Sequence, residues 1–147
     1  MVPIQDPPVI VFLDTSALSA VFLAAHEHHE PSFALFEGLT RAQARCAAHS
    51  PEEVFETLTS LPVEPRIPVA AAEEMLDAIR ERVEPVALSP AEYPAALSAA
   101  ASRPGAALHD VLIAACARKA RADIFYTWNV ELFQRLLPEL GDAVRRP

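Results

Sequence analysis

Five consecutive apolar residues, Val9-Ile-Val-Phe-Leu13, run without a polar interruption and stop at Asp14. An unbroken apolar, β-branched run of this length reads as a strand buried on both faces, the situation of a parallel sheet flanked by helices. Cys46 to His49, Val86 to Leu88 and Ile124 to Thr127 read as further strands. Helical patterns separate them: Ser16 to Ala25, Pro31 to Arg45, a helix capped by Ser50 and running to about Leu61, Val69 to Arg82, a segment opened by Ser89-Pro90, Ala106 to Ala120 and Val130 to Leu137. Pro62, Pro65 and Pro68 mark a linker, and Pro104-Gly105 a breaker. Strands alternating with helices predict an α/β fold whose parallel sheet is covered on both sides.

A chain of 147 residues fits one domain spanning 1–147, and with 52% hydrophobic and 22% charged residues it falls outside the disordered class. Cys46 and Cys116 sit among small or apolar neighbours without zinc or disulfide spacing, so both read as reduced core thiols. The apolar run at 9–13 is too short for a membrane span and no basic segment precedes it, which predicts a cytoplasmic protein without a membrane partner. A formal net charge of -8 argues against nucleic-acid binding through a general positive field. A nucleic-acid substrate would need metal ions or local arginines, and every basic side chain except Lys119 is an arginine.

In open α/β sheets ligands gather beyond the carboxyl ends of the strands, where Asp14 falls. Taken alone, an aspartate there serves equally to cap the next helix. Glu53 lies in the first turn after the second strand, where an acid also complements the helix dipole by less than about 1 kcal/mol, and Glu52 and Glu56 compete with it. Asp110 says more, because Leu108, Val111, Leu112, Ile113, Ala114, Ala115 and Cys116 make its helix apolar on nearly every face. A carboxylate there needs a salt-bridge partner, a metal or a cleft. Thr127 and Asn129 end the last strand at the same edge, where Asn129 either hydrogen-bonds a ligand water or caps the last helix.

Three carboxylates at one edge suit Mg2+ or Mn2+, which take oxygen ligands. Arg118, Lys119 and Arg121 follow the Asp110 helix and suit its dipole better than an RNA contact. His26-Glu-His-His-Glu30 lacks the His-Glu-x-x-His order of a zinc hydrolase and reads as a solvated turn between helices. No Gly-x-Ser-x-Gly elbow surrounds Ser16, so nucleophilic catalysis with His109 and Asp110 is set aside.

Four blocks together resemble PIN-domain ribonucleases, particularly VapC-type toxins of type II toxin-antitoxin systems. They are Val-Phe-Leu-Asp-Thr-Ser-Ala-Leu at 11–18, His-Ser-Pro-Glu-Glu-Val-Phe-Glu-Thr-Leu-Thr-Ser-Leu-Pro at 49–62, Leu-His-Asp-Val-Leu-Ile-Ala-Ala-Cys-Ala-Arg at 108–118 and Tyr-Thr-Trp-Asn at 126–129. The resemblance implies a three-layer α/β/α PIN-like domain with a central, mainly parallel sheet. It also implies a Mg2+- or Mn2+-dependent endoribonuclease that hydrolyses RNA phosphodiester bonds through a metal-activated water. Asp14, Glu53 and Asp110 match the family's metal-holding catalytic acids, and Thr15 or Ser16, with Thr127, match supporting hydroxyls. Asn129 stands where the family often has a fourth acid, which weakens a second metal position, with Glu131 as a candidate replacement. His109 stands where members often carry an aromatic or apolar residue. Partners implied by the resemblance are RNA, a cognate antitoxin and a second copy in a homodimer. Two rival readings are a silent PIN-like module that binds RNA or protein, and a magnesium phosphatase with Asp14 as nucleophile. Ser16 stands where such phosphatases generally carry a second Asp.

Overall fold

The computed structural model describes residues 2, 3, 6–60, 62, 66–103 and 105–147. Its elements are β1 (Val11–Leu13), α1 (Thr15–Phe22), α2 (His29–Gly38), β2 (Ala44–Ala47), α3 (Ser50–Ser60), α4 (Val69–Arg82), β3 (Glu84–Val86), α5 (Tyr93–Ala101), α6 (Leu108–Lys119), β4 (Ile124–Tyr126) and α7 (Val130–Leu136), followed by a 3-10 helix (Pro138–Ala143) and β5 (Val144–Arg145). The five strands form one sheet in the order β3-β2-β1-β4-β5, and every pairing is parallel. Only the last three residues of the apolar run form the central strand, with Leu13 paired to Cys46 on one side and to Tyr126 on the other, whereas Val9 and Ile10 precede it and Val9 is 49% exposed.

Side-chain alternation along β1 divides the interior. Val11 and Leu13 join one apolar cluster with Leu18, Val21, Phe36, Val54, Leu58, Leu76 and Ile79, drawn from α1 to α4. Phe12 points to the other face and joins Val111, Ile113, Ala114, Phe125, Phe133 and Leu136, from α6, β4 and α7. Phe12 stacks on Phe125 at 5.5 Å and 7°, and Phe125 meets Phe133 at 4.7 Å. The result is a three-layer α/β/α arrangement. Cys46 belongs to the first cluster and Cys116 to the second, both as free thiols pushed up by burial to about 12 and about 11.

Several boundaries differ from the sequence expectation, each for a physical reason. The second helix begins at His29, inside the expected turn, and ends at Gly38, because a turn held by Thr40 O accepting from Gln43 N–H and Ala44 N–H leads into β2. β2 starts two residues early, with Arg45 tucked against its own chain through the carbonyls of Arg41 and Ala44. β3 lies at Glu84–Val86 and contains Pro85, tolerated because this is an edge strand. β5 is two residues long and carries no periodic signal, yet Val144 is buried in the second cluster. Ser50 is the first residue of α3 rather than its cap, and the His49 carbonyl accepts the Glu53 N–H. The expected helix end at Leu61 and the breakers Pro65 and Pro104 lie outside the described residues.

α6 ends in a Schellman turn: Ala122 N–H donates to Ala117 O at 3.1 Å and Arg121 N–H to Arg118 O at 3.0 Å. Arg121 is held at φ 54°, the left-handed conformation that glycine adopts without steric cost. Arg121→Gly should stabilise the fold by roughly 0.5–1 kcal/mol, a rise of about 1–4 °C in Tm. Calorimetry of the two proteins side by side checks this, and a lower Tm in the variant would remove the strain argument.

Candidate functional site

Because all strands run parallel, their carboxyl ends share one edge. Asp14 follows β1 there, kept in the sheet by its N–H donating to Tyr126 O at 3.0 Å. Its backbone is extended (φ -71°, ψ 155°) and it caps α1, with Oδ1 accepting from Thr15 N–H at 2.8 Å. Capping does not exhaust its role. Oδ2 accepts from Ser16 Oγ and from Thr127 Oγ1, both at 2.8 Å. Asp14 is only 4% exposed and Thr127 is fully buried. Each hydroxyl passes the connection on to the β4–α7 loop: Ser16 Oγ accepts from Trp128 N–H at 3.1 Å, and Thr127 Oγ1 from Asn129 N–H at 2.9 Å.

Burial pushes the Asp14 carboxyl above its usual range, and the charge of Asp110 adds to that rise against the hydrogen bonds from Ser16, Thr127 and Thr15. Asp110, half-buried in the first turn of α6, is likewise raised by burial and by the Glu53 charge, with His109 opposing. The three acids thus form an electrostatically linked series, Asp14 to Asp110 to Glu53. Glu53 behaves differently. Burial raises it, but His49 and His109 outweigh that and hold it below the ordinary carboxylate range. His49 Nε2 stands 3.2 Å from Glu53 Oε1, and this contact is the main influence lowering Glu53. Thr15 directs its hydroxyl proton to Ser50 Oγ at 2.9 Å.

The remaining sequence candidates separate from this group. Asn129 precedes α7, but its side chain is exposed and makes no cap hydrogen bond. Glu131 is exposed in the first turn of α7. Arg118 pairs with Glu139 and the Leu136 carbonyl, and Lys119 with Glu92 and the Ala87 carbonyl, so both tie helices together. The stretch 26–30 is not merely a solvated turn: His28 stacks on Trp128 and His29 Nδ1 contacts Ala20 O at 3.0 Å. Sequence reasoning missed His49, whose signal was a histidine four residues before an acid at a helix start. A cavity of about 480 Å3 between α3 and α4, lined by Glu52, Phe55, Glu73, Leu76, Asp77 and Arg80, contains none of the three acids.

Carboxylates and hydroxyls make an all-oxygen donor set suited to Mg2+ or Mn2+. Among the described residues no three His, Cys, Asp or Glu side chains form a ready-made ligand cluster. Mg2+ does not demand one, because it is commonly held by one or two carboxylates and completes its shell with water. Asp14, with both oxygens already oriented by donors, and Asp110 fit that pattern.

The raised carboxyl of Asp14 has a consequence for stability. It binds its proton more tightly folded than unfolded, so its contribution to stability is full below the ordinary value of 3.8 and is lost as pH rises through the folded-state value. Without divalent ions, Asp14→Asn should therefore gain stability relative to the parent between pH 4 and pH 7. Urea unfolding at both pH values measures the difference, and identical pH slopes would mean that Asp14 carries no buried charge.

Comparison with known proteins agrees with this fold. The PIN domain family matches residues 11–136. A crystal structure of Mycobacterium tuberculosis VapC20, described as a Sarcin-Ricin loop cleaving toxin, superposes with a TM-score of 0.71 at 18% identity, covering 93% of this chain and 99% of that one. No curated protein matches the sequence. With β1, the α6 acid and β4 all inside the matched span, this chain belongs to the PIN domain family.

Proposed function

We propose that this chain is a divalent-metal-dependent endoribonuclease acting as the toxin of a toxin-antitoxin pair. The observation that carries the reading is the buried Asp14 carboxylate at the sheet edge, raised by burial and by Asp110, which is itself raised by Glu53. Such a cluster repels itself and RNA until a cation neutralises it. PIN nucleases generally use divalent ions, and VapC20, described as a cleaving toxin, shares the fold.

In this reading Asp14 and Asp110 hold the ion. When bound, it lowers the pKa of a water and offsets charge on the scissile phosphate and leaving oxygen. Thr127 and Ser16 fix the Asp14 carboxylate through Oδ2, and Thr15 fixes Oδ1. Glu53, kept ionised by His49 and His109, is our assignment for orienting the attacking water. Asn129 presents a neutral amide where a fourth acid would favour a second ion, so one ion is the resident number. The same reading brings a cognate antitoxin and a homodimer. No helix among the described residues is long and apolar enough to cross a membrane.

Asn129 in place of an acid also favours a second reading, a module that binds RNA without cutting it. An RNA cleavage panel in Mg2+ and in Mn2+ separates the two. Asp14→Asn and Asp110→Asn should abolish cleavage with unchanged circular dichroism, as should chelation. Thr127→Val should cost about 10- to 100-fold, the usual penalty for losing a group that orients a metal ligand. Full activity in Asp14→Asn sinks the site assignment, and binding by the parent protein without cleavage in either metal selects the silent module.

A further inference from the structure

Trp128, the chain's single tryptophan, lies in the β4–α7 connection beside Thr127. Three contacts fix it. Its N–H donates to Ser16 Oγ at 3.1 Å, and that hydroxyl donates to Asp14 Oδ2, so the residue is two hydrogen bonds from the central carboxylate. Its indole Nε1–H donates at 2.9 Å to Ser32 Oγ of α2, itself 1% exposed. One face of the indole is covered by His28, with ring centroids 3.7 Å apart and planes within 6°.

This rigid pair does not serve either apolar core. Neither ring is among the residues of the two clusters, and both stay half-buried, the His28 side chain 34% exposed. A large aromatic held by hydrogen bonds at an acid site, yet left wet, has a surface available for a planar ligand. RNA supplies such ligands, because unstacked bases of single strands stack on aromatic and imidazole rings. The charge balance calls for a contact of this kind. A net charge of -8 provides no general positive field, and Arg118 and Lys119 are engaged by Glu139 and Glu92, so a contact that does not depend on charge adds to affinity for RNA.

We propose that a nucleobase flanking the scissile phosphodiester stacks on the His28–Trp128 pair, which thereby selects single-stranded RNA and sets the register of its backbone over Asp14. The inference rests on the ribonuclease reading above. Stacking is indifferent to base identity, so the pair sets position rather than sequence. His28 enters through the α1–α2 connection, and Ser32 one turn further along α2 locks the indole.

Because Trp128 is the only tryptophan, its fluorescence reports the contact without catalysis. The parent protein is titrated in Mg2+ with a mixed-sequence, phosphorothioate-linked decaribonucleotide, which resists hydrolysis, and with a decamer of the same linkage lacking bases. Binding is read in parallel by anisotropy of labelled RNA. Expected are saturable quenching that tracks anisotropy for the decaribonucleotide, and weak binding without quenching for the abasic decamer. His28→Ala should weaken binding about tenfold, in line with the loss of one stacked base. Trp128→Phe keeps a ring and guards against a variant that fails to fold; it should raise KM for RNA by less than Trp128→Ala does, with kcat little changed in both. RNA that binds by anisotropy with unchanged Trp128 emission, or an abasic decamer that binds equally well, overturns the platform alone. RNA neither bound nor cut overturns the ribonuclease reading and the platform with it.

Discussion

A carboxylate removed from water at the end of a central strand must be solvated by the protein, and the local fold follows from how Asp14 meets that demand. Thr15 N–H, Ser16 Oγ and Thr127 Oγ1 supply its donors, from the first turn of α1 and the end of β4. The two hydroxyls have no further proton to give, so each is free to accept a backbone N–H. Those N–H groups belong to Trp128 and Asn129. One side chain thus sets the end of β1, the start of α1 and the course of the β4–α7 connection.

The charges elsewhere are arranged around that commitment. Four of the arginines, which dominate the basic inventory, tie neighbouring elements together: Arg82 reaches the Glu37 carbonyl, Arg41 the carbonyls of Arg80 and Val83, Arg103 that of Arg135, and Arg118 that of Leu136. These carbonyls lie at or near helix ends, where unsatisfied acceptors collect. Near the acids the balancing groups are instead His49 and His109, which lower Glu53. That asymmetry holds Glu53 ionised while Asp14 and Asp110 are pushed toward the neutral form. Since the acids feel one another, their titration belongs to the group rather than to single residues.

What the sequence revealed is what local patterning encodes. The run ending at Leu13 marked the central strand, though only its last three residues are doubly covered, and α4 was legible to both ends, bounded by Pro68 and Val83. Asp110 was conspicuous because its helix is apolar around it. β2 and β3 were blurred by Arg45 and Pro85, which break the apolar pattern yet are accommodated by self-contacts and an edge position. Contacts between distant segments stayed hidden. His28 and Ser32 meet Trp128 about a hundred residues away, and Ser50, read as a cap, is a buried acceptor for Thr15. No periodicity in either segment announces such pairs.

Two influences on Asp14 oppose each other. The hydrogen bonds are directed for an ionised carboxylate: Ser16 and Thr127 donate to it, and their lone pairs are taken up by Trp128 and Asn129. A proton on Oδ2 would make that oxygen a donor and force at least one of the two hydroxyls to turn its own proton elsewhere, whereas Oδ1 accepts only from Thr15 N–H. Burial and Asp110, in contrast, disfavour the ionised form. The fold therefore retains a carboxylate geometry that its own electrostatics oppose, a form of strain typical of functional sites. Positive charge from outside the chain relieves it without moving any donor, which is the physical ground for assigning Asp14 to a cation.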